Sequence, residues 1–225
     1  DNTQQSSGAR AIDGAEITIG GNVVGMKYGA YASSNGSNTV ITVGGNVTVT
    51  GNSGAGAFAT GVNAEVFIDE EITAAGIGAQ ADSGGKISID GVINANPYIR
   101  IEGIVKGAGD KTLPSTRPGY YTYTDNTSTV WVKDAASPTV PANLRTTGQT
   151  SSSISLAWDA STDDGGVDRY KVEMKSGNGA WTQIGTPAVN QFTQNGLSSS
   201  TTYLFRVKAV DAAGNESGWS NELSA

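Results

Sequence analysis

The sequence predicts an all-β protein in two parts: a stack of short-strand coils over residues 1–133, then an antiparallel sandwich over 142–225. Three observations carry this. Composition is the first: hydrophobic residues are 37% and charged residues 16%, with 31 Gly among many Ser, Thr and Asn, a mix that favours strands and turns. No window sustains the i, i+3, i+4, i+7 apolar spacing of a helix. The second observation is an order-preserving repeat in the first part. The third is strict apolar/polar alternation in the second.

The repeat begins with a G-A-x-A tetrad: GARA at Gly8, GAYA at Gly29, GAFA at Gly56 and GAQA at Gly78, at intervals of 21, 27 and 22 residues. An apolar–x–apolar triplet follows each: Ile17–Ile19, Ile41–Val43, Val66–Ile68 and Ile87–Ile89. After a Gly- or acid-containing corner comes another aliphatic: Val23, Val47, Ile72, and Val92 or Ile93. Each triplet has the period of two of a strand with one buried face. A unit this short cannot close a core by itself, whereas stacked units bury Ile over Val over Ile. The tetrads place two Ala inward where the coil is narrow. Gly stands where the backbone turns or approaches a neighbour closely.

The units drift towards the end. Ile99–Ile101 reads as a fifth triplet without its tetrad, and 107–119 as a polar loop. Residues 120–133, YYTYTDNTSTVWVK, read as a hairpin turning at Asp125–Asn126. An open stack leaves an unpaired edge, and this hairpin is expected to cap it. The G-A-x-A and triplet pattern resembles the parallel β-solenoids (β-helices) of bacterial secreted and surface proteins, over about residues 8–105. A β-sandwich of similar strands is the other arrangement, which the repeat order disfavours.

DAASPTVP, 134–141, suits a short stiff linker. Beyond it, Ile154, Leu156 and Trp158 share one face, as do Tyr170, Val172 and Met174, and Tyr203, Phe205, Val207 and Ala209. These residues resemble a fibronectin type III domain, an immunoglobulin-like sandwich. Trp158 stands at the core Trp of strand B, and LSSSTTY matches the L-x-P-x-T-x-Y corner through Leu197 and Tyr203, with Ser199 where Pro is usual. WDASTDDGGVDRYKV and VKAVDAAGNESGWS are similar to the bacterial form, an accessory module of secreted polysaccharide-degrading enzymes. The resemblance implies an extracellular setting and a spacer or interaction role without catalysis. No Arg-Gly-Asp occurs.

Several function classes are disfavoured. Net charge is −7, and neither part carries the basic patch that a phosphate backbone or an anionic membrane requires. With no Cys and no His, thiol nucleophiles, imidazole bases and the usual zinc ligands are absent. No apolar run reaches the ~18 residues of a spanning helix. The opening DNTQQSSGAR has neither initiator Met nor signal peptide and reads as cut from a longer chain. Asp69, Glu70 and Glu71 are adjacent rather than facing across a cleft, as a glycosidase pair must be. GNSGAG at 51–56 lacks the Lys-Ser/Thr and the helix of a phosphate loop. An ice-binding Thr array breaks at Phe67 among Thr18, Thr42, Phe67 and Ser88.

Two constellations remain. Asp159, Asp163, Asp164 and Asp168 form a candidate Ca²⁺ site, set against the favoured reading of a solvated Asp-Gly turn; the D-x-D-x-D-G order of an EF-hand is missing. The outward positions of the tetrads, Arg10, Tyr31, Phe58 and Gln80, should stack about 4.8 Å apart. Their aromatics are a platform for sugar rings, a ladder that stabilises the coils, or a docking surface for the second domain; Tyr28 and Tyr98 would extend it. The expected function is that of a non-catalytic accessory or scaffold region of a large bacterial extracellular or wall-attached protein. It would space neighbouring domains and touch polysaccharide or cell-wall glycan, with no nucleic acid or membrane partner and no required cofactor. A carbohydrate-binding or adhesin module and a polysaccharide-active enzyme fragment are the alternatives.

Overall fold

The computed structural model describes residues 7–113 and 115–225, and among them every regular element is a strand. The chain divides into two compact units, Asp1–Asp134 and Ala135–Ala225.

The first unit winds through four coils of three strands: β1 Ser7–Ile12, β2 Glu16–Ile19 and β3 Val23–Gly25; β4 Tyr28–Ser33, β5 Thr39–Val43 and β6 Val47–Val49; β7 Ala55–Thr60, β8 Ala64–Ile68 and β9 Ile72–Ala74; β10 Ile77–Asp82, β11 Lys86–Ile89 and β12 Ile93–Ala95. The first strands of successive coils pair in parallel, the second strands likewise and the third likewise, so the unit is a three-sided parallel β-solenoid. Ile17, Ile41, Val66 and Ile87 stack in register, as do Ile19, Val43, Ile68 and Ile89. Fully burying one such side chain contributes roughly 1.5–3 kcal/mol, a gain realised only when a coil lies above or below.

The two Ala of each tetrad face inward and are buried throughout the stack. The tetrad Gly has a packing cause. A Cβ built at Gly8, Gly29, Gly56 or Gly78 would stand 2.1–2.4 Å from a side-chain carbon of Val23, Val47, Ile72 or Ile93 respectively. Sheets one and three therefore meet at a corner that admits only hydrogen. Another corner is tied by a ladder: the Asn46 amide donates to Asn22 Oδ1 (2.9 Å), and the Glu71 amide donates to Asn46 Oδ1 (3.0 Å).

The end of the stack differs from expectation in one respect. β13, Ile99–Ile101, pairs with the tetrad strand β10, Ile99 opposite Ala79 and Ile101 opposite Ala81, so it continues the first sheet and not the triplet sheet. A bare Ile-x-Ile fits either inward column, and spacing alone could not choose between them. The chain then reverses into β14, Ile104–Lys106, antiparallel to β13. After the polar loop come β15, Tyr120–Thr124, and β16, Thr129–Lys133, the antiparallel hairpin read from the sequence. β16 is itself a rung, parallel on β11 with Val130 over Ile87 and Val132 over Ile89. Tyr123 lies beneath the hairpin, 1% exposed. Its hydroxyl donates to the Ala108 carbonyl (2.8 Å), and its ring meets Tyr98 edge-on at 5.9 Å.

The second unit is a two-sheet sandwich. One sheet holds β17 Ala142–Gln149, β18 Ser153–Asp159 and β21 Gln191–Asn195. The other holds β19 Val167–Ser176, β20 Thr182–Gly185, β22 Tyr203–Asp211 and β23 Leu223–Ser224. Ile154, Leu156, Trp158, Tyr170, Val172, Tyr203, Phe205, Val207 and Ala209 form its core, as the alternation predicts. Trp158 is fully buried and meets Tyr170 edge-on at 5.2 Å. The Ser198 amide donates to the Tyr203 hydroxyl (3.1 Å), which closes the predicted tyrosine corner. On the outer face of β19–β22, the Arg206 guanidinium lies 4.3 Å from the Trp181 ring and 4.1 Å from Trp219.

Candidate functional site

The alternation that sends the tetrad Ala inward sends the residue between them outward. The register aligns Arg10, Tyr31, Phe58 and Gln80 as one column across β1, β4, β7 and β10, and Arg100 of β13 adds a fifth member. Tyr31 and Phe58 meet edge-on, centroids 5.2 Å apart. Tyr28 leans onto both, 5.2 Å from Tyr31 and 5.4 Å from Phe58, so three rings form one half-buried cluster. The Arg10 guanidinium sits 5.5 Å from the Tyr31 centroid, and Lys27 Nζ lies 5.4 Å from that of Tyr28. Clustered rings of this kind contribute about 0.5–1.5 kcal/mol per pair beyond their buried area.

Polar groups follow where the rings stop. Gln80 Nε2 donates to Asp82 Oδ2 (2.6 Å). Asp82 Oδ1 and Arg100 Nε are buried and have no hydrogen-bond partner among the described residues. Burial pushes the Tyr28 hydroxyl above the ordinary tyrosine range, and nearby Tyr31 and Asp82 push it further the same way. It therefore stays protonated at neutral pH and keeps its O–H as a donor. Aromatic faces beside an amide, a carboxylate and a guanidinium can stack on the C–H face of a sugar and exchange hydrogen bonds with its hydroxyls. Nothing in the column resembles a nucleophile with its base.

The other sequence-predicted residues lie elsewhere. Tyr98 does not join the column but packs on Tyr123 at the end of the stack. Glu71 accepts from Thr73 Oγ1 (2.8 Å) and Asn94 Nδ2 (2.5 Å) at a corner, while Asp69 and Glu70 are exposed. Of the four sandwich carboxylates, Asp159 accepts from Asn143 Nδ2 (2.5 Å) and Arg145 Nη1 (3.2 Å), Asp163 from the Gly165 amide (2.8 Å), and Asp168 from Arg169. Asp164 is exposed in the same turn. Asp159 and Asp168 are thus each tied to neighbouring side chains, and Asp163 to a backbone amide of its own turn. Arg100 and Asp82 were missed by reading the tetrads alone. Aligning Ile-Arg-Ile on Ala-x-Ala would have found Arg100.

The sandwich topology, the buried Trp158 and the tyrosine corner define an immunoglobulin-like module. Residues 137–225 match the family model of the fibronectin type III domain. Over 94 residues the chain is 45% identical to an alpha-amylase of Niallia circulans, 42% of this chain and 7% of that protein. Over 91 residues it is 46% identical to chitinase A1 of Niallia circulans, covering 40% and 12%. Over 117 residues it is 36% identical to exoglucanase B of Cellulomonas fimi, covering 52% and 10%. The C-terminal domain is a fibronectin type III domain of the bacterial secreted-enzyme type. The chain spans about a tenth of the length of these relatives.

Proposed function

We propose that this chain is a non-catalytic accessory region of a large bacterial extracellular or cell-surface protein, in which a rigid solenoid and a type III sandwich space or present other domains. The observation that supports this best is the company kept by the type III sequence: it recurs as a small share of an amylase, a chitinase and an exoglucanase. Such a module sits beside a catalytic domain and adds no chemistry of its own. Domains 1–133 and 142–225, joined by 134–141, are the working division. The partners on this reading are neighbouring domains and polysaccharide or cell-wall glycan.

A carbohydrate-binding or adhesin role is the second reading, favoured by the three-ring cluster and by the unpartnered polar atoms of Asp82 and Arg100 beside it. Arg10, Tyr31, Phe58 and Gln80 are its contact residues. Affinity electrophoresis through gels containing soluble glycans tests it, comparing wild type with Tyr31→Ala/Phe58→Ala. Retardation abolished in the double variant supports a glycan-binding platform. Unretarded wild type on every glycan leaves the spacing role alone. Release of reducing sugar from the same panel would overturn the non-catalytic reading.

A further inference from the structure

The solenoid carries a second pair of aromatics on a different side. Along the outer face of the triplet sheet the register aligns Thr18, Thr42, Phe67, Ser88 and Trp131. The column is Thr at the first two rungs, and at the last three a small residue stands between two large rings. Phe67, Ser88 and Trp131, with Glu65, Lys86 and Arg117, line a cavity of about 250 Å³.

The walls are fixed before any ligand arrives. Trp131 Nε1 donates to Thr116 Oγ1 (3.0 Å), which sets the indole. Arg117 Nη1 donates to Ser88 Oγ (2.6 Å), and its guanidinium lies 3.9 Å from the Tyr120 ring centroid. The Tyr120 hydroxyl in turn donates to Asp90 Oδ1 (2.7 Å). The Thr116 amide donates to Thr122 Oγ1 (3.0 Å), which anchors the loop to the cap hairpin. On the other lip, Lys86 Nζ and Glu65 Oε1 form an ion pair at 3.6 Å.

We propose that this slot binds one neutral pyranose ring of a glycan, held between Phe67 and Trp131. Size is the first argument. At about 250 Å³ the cavity falls below the ~300 Å³ at which pockets for drug-sized molecules begin, so it suits one ring and not a chain segment. Spacing is the second. Phe67 and Trp131 lie two rungs apart, about 9.6 Å at the usual strand spacing. Two van der Waals contacts of about 3.5–4.0 Å occupy about 7–8 Å of that. The remainder is slack for a flat aromatic ring and leaves room for a puckered one with its substituents. Charge is the third. Glu65 can accept hydrogen bonds from hydroxyls while Lys86 and Arg117 donate to hydroxyl oxygens, the mixed demand of a diol, and the Glu65–Lys86 ion pair already meets each of those two charges without a charged ligand. The slot relies on the accessory reading above only for the choice of glycan over another hydroxylated ring, and it shares no residue with the Tyr31–Phe58 cluster.

The test is a titration of the whole chain, ¹⁵N-labelled, with cellotetraose, maltotetraose and chitotetraose, following the Trp indole N–H signals by NMR. Tetragalacturonate and a Trp-containing peptide serve as acidic and aromatic controls. The Trp131 signal, assigned from Trp131→Ala, should shift and saturate with at least one neutral tetraose. Phe67→Thr, which continues the Thr column of the first two rungs and so preserves the coil, should weaken that binding at least tenfold. Tyr31→Ala/Phe58→Ala should leave it unchanged. No shift of Trp131 with any neutral tetraose, unaltered affinity in Phe67→Thr, or a response only to the acidic or peptide control would overturn the proposal. Binding lost in the Tyr31/Phe58 variant but kept in Phe67→Thr would also overturn it, while supporting the platform on the other side.

Discussion

A Cβ on Gly29 would lie 2.1 Å from Val47 Cγ1 and 2.6 Å from the Gly56 carbonyl oxygen. The valine could swing away, but the carbonyl belongs to the next coil's backbone and cannot. Gly29→Ala should therefore destabilise the solenoid by about 1–3 kcal/mol or more, the cost of overpacking a fitted core. Gly20→Ala is the control, since nothing lies within 4 Å of its Cβ position and its φ is not positive. It should be neutral or stabilise by about 0.4–1 kcal/mol through the unfolded chain. Urea unfolding of both variants checks the pair, and equal midpoints would remove the steric account of the tetrad.

The same glycine shows what the sequence made legible. G-A-x-A repeating in order, followed each time by an aliphatic triplet, announced stacked coils because period-two burial and close backbone approach leave few other uses for those residues. The sandwich was plainer still, since Trp158, Leu197 and Tyr203 stand in a fixed pattern. What could not be read was lateral: which column a bare Ile99–Arg100–Ile101 joins, and that Trp131 falls two rungs from Phe67. Those facts depend on pairing between strands 20 to 45 residues apart, after a loop of irregular length breaks the period. The Asp82 and Arg100 atoms beside the ring cluster were hidden for the same reason.

Arg206 organises the outer face of the sandwich. It lies between Trp181 and Trp219, and its Nε and Nη2 both donate to Glu173 Oε2, at 2.9 and 2.6 Å. Only the planar guanidinium can stack on two rings while presenting two donors along one edge. Arg206→Lys keeps the charge but should cost about 1–2 kcal/mol, combining lost cation–π contact with the lost fork. Chemical denaturation of the 135–225 unit measures this. A cost within error of zero would mean that charge alone carries the contact.

Acid should weaken the same unit through Glu216. Hydrogen bonds from Lys171 and then Lys208 hold its carboxyl below the ordinary glutamate range. A depressed folded pKa means that the stabilisation is complete above the unfolded value, near 4.3, and fades as pH falls through the folded one. Stability should therefore decline more steeply below about pH 4.3 in wild type than in Glu216→Gln. The group is substantially exposed, so raised salt should shrink the difference. Urea midpoints of both proteins between neutral and strongly acid pH, at low and high salt, give the comparison; parallel pH curves would exclude Glu216 as a contributor.

The cap hairpin should hold the solenoid in two separable ways. Deleting 120–133 strips β16 from β11, leaving Lys86–Ile89 as an open edge with Ile87 and Ile89 uncovered. An exposed apolar edge strand pairs with other chains, so the deletion should aggregate as well as melt lower. Tyr123→Ala keeps the edge paired and removes only the buried ring, at about 3–5 kcal/mol. Tyr123→Phe keeps the ring and removes the hydroxyl, with its bond to the Ala108 carbonyl, at about 0.5–1.5 kcal/mol per hydrogen bond lost. Light scattering and thermal melts of the three variants separate edge protection from core filling. Aggregation should mark the deletion alone, whereas loss of stability should rank the deletion and Tyr123→Ala well above Tyr123→Phe. If Tyr123→Ala aggregates as readily as the deletion, the ring and the edge act as one unit, and the hairpin covers the stack only while its tyrosine is seated.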